Sequence, residues 1–362
     1  GAAMGWLDVG GVQEHFFRSY VMAFMVAVSI CLGALFFVVL PHCVKAGWSV
    51  TVRRLAEGIA SNLTWLWIGF IPVVIGMKWG HLYEWNNLPE VAHDELLMHK
   101  IGYFFFGNPI SFDAAGDPVI RDTLPWFWLA RAAFYFLLWG FLARFFVGNS
   151  VKQDATGDVN ITIRMQRLAP VAIGLLFITQ AFAAIGWVMT LEPHWFSTMF
   201  GVYFFAASSC GFYATLIIVM YLVQRSGRLT NEITPEHYQD AGKLLFAFGV
   251  VFWAYIAYRQ YMLIWYANIP EETPWYLARQ LGGWTNLSLL LLFGHFALPF
   301  VLLISRHPKR VPHTVAVLAA WMLLMHIADI YWLTMPHVPG AVHYIGEHAF
   351  IIGDRAITPF DA

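Results

Sequence analysis

Apolar residues run along this chain in long unbroken stretches, separated by short polar segments. A helix that crosses a bilayer needs about 20 apolar residues in succession. Eight stretches meet or approach that length: 20–40, 63–77, 124–147, 168–191, 199–223, 244–266, 284–304 and 315–335. The second is the shortest and is expected to begin earlier, near Ile59. Residues 79–123, between the second and third, carry Asp113, Asp117, Asp122 and a Gly/Pro-rich run. They read as an extramembrane loop with one short apolar piece, 101–106. The apolar runs are continuous rather than alternating, which argues against a membrane β-barrel. The fold expected is an all-α membrane protein with eight visible transmembrane helices.

The eight helices carry an internal repeat. Pro125-Trp-Phe-Trp-Leu-Ala-Arg131 matches Pro274-Trp-Tyr-Leu-Ala-Arg279. Upstream, Trp85-Asn-Asn-Leu-Pro-Glu90 matches Tyr266-Ala-Asn-Ile-Pro-Glu271, and downstream the stretch from Ile185 to His194 matches that from Ile330 to His337. Chance likeness of Trp-rich interfacial segments is the competing explanation; the shared order and shared membrane side argue against it. Helices one to four then recur as helices five to eight, in parallel orientation, as two tandem four-helix bundles. The division expected is an outer N-terminal segment 1–19, a first bundle 20–197 with its long outer loop 79–123, a second bundle 198–337, and an outer tail 338–362. Aligning Trp187 with Trp332 sets Ala184 opposite Asp329 and Ala181 opposite His326. One copy is thus ionisable where the other is apolar, a difference that packing alone does not require.

Basic residues orient the chain. The odd-numbered connections hold thirteen, from Lys45, Arg53 and Arg54 to Arg306, Lys309 and Arg310; the even ones and the C-terminal tail hold Lys78, Lys100, Arg121, Arg279 and Arg355. Odd connections are therefore expected in the cytoplasm, with both ends outside. Gly1-Ala-Ala-Met4 is not a signal peptide, so an exported start points to a further helix before it. Composition narrows the class. Only 12% of the 362 residues are charged and 59% are hydrophobic, against roughly a quarter charged in soluble domains. With a net charge of −1, this argues against a cytosolic enzyme, a disordered chain and a nucleic-acid binder. Cys31, Cys43 and Cys210 offer neither a C-x-x-C pair nor a disulfide framework. His81, His93 and His99 have no regular metal-ligand spacing, and no metal site is expected.

An ionisable side chain at membrane depth is costly and is a candidate functional group. His326 lies about 11 residues into helix eight, near mid-depth at 1.5 Å per residue. Asp329, three residues on, shares its face. A histidine beside a carboxylate suits a proton relay; a static hydrogen-bonded pair fixing two helices is the other reading. His295 sits at similar depth in helix seven, and the short connection to helix eight lets the two imidazoles face each other. The alternative for it is a bond to a backbone carbonyl; a haem ligated by the two histidines is a further reading. In helix six, Tyr255, Tyr258 and Arg259 share a face, and Arg259 either snorkels outward or anchors a carboxylate such as Asp329. Arg131 is placed to snorkel, Gln180 to bond across helices, and Ser208 and Ser209 to allow close packing. Glu192 and His194 in the outer turn between helices four and five either line a proton exit, meet a partner, or belong to an ordinary solvated turn.

The strings Glu192-Pro-His-Trp-Phe-Ser-Thr-Met-Phe, Trp253-Ala-Tyr-Ile-Ala-Tyr-Arg-Gln-Tyr-Met, Trp265-Tyr-Ala-Asn-Ile-Pro-Glu-Glu272 and Met325-His-Ile-Ala-Asp-Ile-Tyr-Trp332 resemble the ActF-type subunits of bacterial alternative complex III, a quinol:cytochrome c oxidoreductase. These belong to the NrfD-like, polysulfide-reductase-type membrane proteins. The resemblance covers almost the whole chain. It implies about ten helices, two four-helix bundles with a flanking helix at each end, of which the central eight are visible here. It implies a bacterial inner membrane location and a role in energy coupling. The partners implied are a homologous quinol-binding membrane subunit, an iron–sulfur protein and haem c proteins, with lipid around them and a quinone such as menaquinone as the small ligand. Redox cofactors would lie in those partners and none in this chain. His326 and Asp329 would carry protons within the membrane, with His295, Tyr258 and Arg259 as neighbours and Glu192 and His194 at the outer exit. A secondary transporter with parallel repeats and a passive anchoring subunit are the competing classes. Against a transporter, no span has a Gly/Pro-broken centre, apart from Gly282-Gly283 and Pro299.

Overall fold

The computed structural model describes residues 12–79, 82–121, 123–269, 272–336, 342–345 and 348–351. The tail 352–362, the first eleven residues, and His81, Asp122, Pro270, Glu271, His337 and Arg355 fall outside them, so the expectations placed there are not addressed. About 80% of the described residues are helical. Among the described residues seven helices are long and apolar enough to cross a membrane, and an eighth span forms if one bent pair is counted with them. The protein is therefore an all-α, multi-pass membrane protein.

The spans follow the apolar runs but overshoot them. The first, α1 (Val12–Val44), continues through Pro41 and His42. The second is broken. A helix α2 (Val50–Ala60) passes through a 3-10 turn (Ser61–Thr64) and meets α3 (Leu66–Trp79) at 43°. The short apolar run at 63–77 thus marks only its outer half. The third and fourth, α6 (Trp126–Thr156) and α7 (Val159–Trp187), project turns beyond the bilayer at their basic ends. Asp158 caps α7, its carboxylate accepting from the Asn160 N–H at 2.9 Å. The outer loop between α3 and α6 holds α4 (Leu88–Val91), α5 (Glu95–Lys100) and a hairpin of β1 (Ile110–Phe112) with β2 (Pro118–Ile120). Its apolar piece folds inward: the Phe104 ring stacks on Trp85 with centroids 4.0 Å apart, both buried beside Trp128.

The fifth span is α8 (Phe200–Arg225). The sixth runs from α9 (Pro235–Leu244) through a π-helical stretch (Leu245–Phe252) into α10 (Trp253–Ala267). After α11 (Thr273–Ala278), the seventh runs from α12 (Trp284–Leu290) through a second π-helical stretch (Leu291–Ala297) into α13 (Leu298–Ile304). A basic turn, α14 (Arg306–Arg310), leads to the eighth, α15 (Pro312–Thr334). The backbone then closes with β3 (Val342–Ile345) paired antiparallel to β4 (His348–Ile351).

The π-helical stretches are departures from the unbroken spans expected. For the second, a physical cause is visible. Pro299 has no N–H to donate, and its ring crowds the carbonyl four residues back. That carbonyl belongs to His295, so the ladder widens where the histidine sits.

The spine of the fold is α8, packed along α1 on one side and α15 on the other, with α7 and the first π-helical stretch also against it. Close approach depends on small residues, as is common between membrane helices. A methyl group on Gly33 of α1 would lie 2.5 Å from the Ser208 carbonyl oxygen and 2.5 Å from Phe212 Cβ. The close-packing role expected of Ser208 and Ser209, both fully buried, is observed. Gln180 donates to Ser208 Oγ at 2.8 Å, the interhelical bond expected of it. We expect Gly33→Ala to destabilise the fold by about 1–3 kcal/mol through overpacking, measured as a lowered unfolding midpoint in detergent micelles. A midpoint equal to the parent's would show that α1 and α8 do not approach this closely.

Candidate functional site

Asp329 is 0% exposed, and each of its oxygens is met by one neutral donor. The Tyr203 hydroxyl of α8 donates to Oδ1 at 2.5 Å, and the Trp253 indole N–H of α10 donates to Oδ2 at 3.0 Å. Among the described residues it forms no ion pair. Tyr203 and Trp253 are themselves buried. The carboxyl group is therefore held by donors from two other helices, α8 and α10.

The two histidines extend the cluster. The His295 ring stacks face to face on Trp253, centroids 3.8 Å apart and planes 6° from parallel. Its Nε2 lies 3.1 Å from the Gly249 carbonyl oxygen and 3.6 Å from Cys210 Sγ. Gly249 and His295 each lie within a π-helical stretch, so the two irregular segments meet at this bond. The alternative of a bond to a backbone carbonyl is what the structure has. Such local π geometry recurs at functional sites. The His326 Nε2 lies 2.9 Å from the Ser29 hydroxyl of α1. Gly211 of α8 makes room for it: a methyl there would lie 2.6 Å from Cδ2 of the ring. Nδ1 of His295 and Nδ1 of His326 have no protein partner, though both rings are wholly buried. The imidazoles are within electrostatic reach of each other.

Asp329, His326 and His295 are thus brought into one buried cluster, joined by Tyr203, Trp253 and Ser29. His326 and Asp329 do not bond to each other: His326 is taken by Ser29 of α1, and Asp329 by Tyr203 and Trp253. Tyr258 and Arg259 do not join them. Tyr258 is 65% exposed and Arg259 is also exposed, its guanidinium donating to Tyr255 Oη at 3.4 Å on the same outward face. Arg259 therefore does not anchor Asp329; two uncharged donors take that place. Arg131 lies over the Tyr103 ring at 3.7 Å and donates to the Tyr103 carbonyl at 2.6 Å. Sequence reasoning missed Tyr203 and left Trp253 inside a motif without a role. Tyr203 is one of several hydroxyl-bearing residues in α8, with Ser208, Ser209, Tyr213 and Thr215, so its side chain alone did not mark it.

The outer turn after α7 is clamped rather than loose. Glu192 lies 3.5 Å from the buried Arg18 guanidinium of α1, which also pairs with Glu14 at 2.8 Å. His194 Nε2 is 2.6 Å from Asp94 Oδ2, and its Nδ1 is 3.8 Å from Glu84. Lys100 donates to the Pro193 carbonyl at 2.6 Å. Between this turn and the buried cluster stands Arg279, 1% exposed, stacked on Trp275 at 3.5 Å. It donates to the carbonyls of Trp332 and Leu333 at the end of α15, at 3.1 and 3.2 Å. Tyr276 is within electrostatic reach of Tyr203, and Glu192 is within reach of Arg279.

Among the described residues, no group of three or more His, Cys, Asp and Glu side chains is arranged to hold a metal ion. The three cysteines are unpaired. No protein-family model matches the chain, and no curated protein matches it.

Trp253→Phe keeps a ring to stack on His295 but removes the donor to Asp329. It should cost about 1–3 kcal/mol, the scale of a buried acceptor left unanswered, read as loss of thermal stability. A second expectation concerns the outer clamp. Partial burial alone would raise the Asp94 carboxyl, but the Leu97 N–H and the His194 ring outweigh it and hold it below the usual carboxylate value. A lowered value in the fold means a stabilising contribution present above the ordinary carboxylate range and lost as pH falls through the lowered value. Amide exchange in α5 should therefore accelerate on acidification, and Asp94→Asn should show the fast exchange already at neutral pH. Equal exchange in parent and variant would refute the clamp.

Proposed function

We propose that this chain is an integral membrane subunit of a respiratory quinol:acceptor oxidoreductase of the alternative complex III type, related to the ActF-type NrfD-like subunits, in a bacterial inner membrane. Its contribution is an intramembrane proton path coupled to quinol oxidation in partner subunits. The observation that carries this reading is the wholly buried carboxyl group of Asp329, answered by Tyr203 and Trp253 and flanked by two buried histidines. A carboxyl group with no cation beside it is able to take up and release a proton without breaking an ion pair. Tyr203 is the hydroxyl through which Asp329 exchanges protons outward, toward Tyr276, Arg279 and Glu192. His326 and His295 stand on the inward side, each with one ring nitrogen unengaged. Trp253 holds its oxygen and passes no proton. Tyr258 and Arg259 are assigned no step.

The proposed setting includes a homologous quinol-binding membrane subunit, an iron–sulfur protein and haem c proteins, with the redox cofactors in those partners. It also includes two tandem parallel bundles. Several features support the duplication. α7 and α15, matched by the repeat, pack on α8 and α1 respectively. Arg131 and Arg279, also matched, each lie over an aromatic ring while donating to backbone carbonyls. Ala184 and Asp329 are both fully buried in their own halves.

A secondary transporter is the second reading, favoured by the two π-helical stretches that meet at the site. Purification in mild detergent separates the two. Co-isolation with haem and iron–sulfur proteins supports the respiratory subunit, and isolation alone supports the transporter. In the assembled complex reconstituted into vesicles, Asp329→Asn should slow proton movement by about 100-fold or more, the scale of a lost proton-transfer group, with the complex still assembled. Unchanged protons per electron would reduce the chain to a passive anchor.

A further inference from the structure

A large groove lies away from the buried cluster, on the first half of the chain. It runs between the broken second span and α6 and has a volume of about 870 Å³, within the range of small-ligand sites. Phe70, Ala133, Phe136 and Gly140 line it, and Thr64, at the break in the second span, lines it near Gly140. Its lining is almost wholly apolar until one end, where Arg144 and Phe145 stand.

That end continues into a second hollow of about 490 Å³, which shares Phe145 and is lined by Asn160, Arg164 and Arg167. The Arg164 guanidinium lies over the Phe145 ring at 5.6 Å. Three arginines thus flank the shared Phe145, Arg144 of α6 on the groove side and Arg164 and Arg167 of α7 on the side of the second hollow. None of them is in an ion pair among the described residues, so each is open to an anion. Arg144 lies about 27 Å along α6 from Trp126, and Arg167 about 30 Å along α7 from Trp187, at 1.5 Å per residue. That separation matches a hydrocarbon core of about 30 Å, which places the arginines at headgroup level and the groove among acyl chains. By the charge pattern this is the cytoplasmic level, where anionic lipids are concentrated and basic pockets between helices bind their headgroups.

We propose that this groove holds one anionic phospholipid, its phosphate on Arg144, Arg164 and Arg167 and an acyl chain along the α3–α6 face. A guanidinium cluster matches phosphate oxygens in geometry as well as charge. An apolar partner helix would leave three cations unanswered, and a neutral quinone offers them no anion. The site is independent of the proton path, because the buried cluster lies in the other half of the chain.

The test uses the full chain in nanodiscs of phosphatidylcholine containing a small fraction of phosphatidylglycerol or cardiolipin. Bound lipid is read by native mass spectrometry after release into detergent. The parent should retain one anionic lipid in preference to phosphatidylcholine. Arg144→Gln, Arg164→Gln and Arg167→Gln together should weaken that retention by about a hundredfold. Ala133→Trp, which fills the groove and keeps the arginines, should weaken it as well. Both changes lie on the lipid-facing surface, and monodispersity in detergent verifies the fold. Equal retention of anionic and zwitterionic lipid, or retention unaltered by either variant, overturns the proposal. So does capture of a partner helix at Ala133 by a photocrosslinker placed there in the native membrane.

Discussion

A carboxyl group enclosed by protein at membrane depth has no water to hydrogen-bond it, and leaving its oxygens unanswered costs several kcal/mol. Asp329 meets this constraint with two donors from two other helices, Tyr203 of α8 and Trp253 of α10. The second half of the molecule is arranged around that requirement. Trp253 is oriented by its stack on His295, and His295 in turn is oriented by the Gly249 carbonyl. Removing any one element leaves a buried polar group without its partner, so the cluster is cooperative in the sense that hydrogen-bond networks in low dielectric are.

The irregular helices belong to the same economy of hydrogen bonds. A regular α-helix engages each carbonyl in its own ladder, and a local widening shifts that partner and leaves a carbonyl more open to a side chain. The carbonyl of Gly249 lies in one such segment and His295 in another, and Pro299 supplies a cause for the latter. Glycine does complementary work where helices must nearly touch. Gly33 brings α1 onto α8, and Gly211 makes a seat for the His326 ring, so Ser29 comes within reach of its Nε2.

The first half uses its polar residues differently. Its buried groups form static links: Gln180 to Ser208, Trp139 to Thr179, and Trp128 to the Gly186 carbonyl. Its charges stay at the two ends, in the clamp around the outer turn and in the basic mouth of the groove beside α6. One half therefore offers ionisable groups inside the membrane and the other a lipid-facing surface with a charged end.

The sequence by itself determined the helical class, the number and placement of apolar runs, and which ionisable residues lie at membrane depth. Hydrocarbon demands long apolar helices and penalises each buried charge, and both effects are written locally along the chain. Asp329, His326 and His295 were legible for that reason, as was the interhelical bond of Gln180. The partners of Asp329 were not, because Tyr203 and Trp253 come from distant helices whose rotation about their axes is set by packing. Helical spacing put Tyr258 and Arg259 on one face but could not say that the face points outward. The break in the second span and the two π-helical stretches were also decided only in the tertiary structure, where neighbouring helices supply the contacts that a regular ladder gives up.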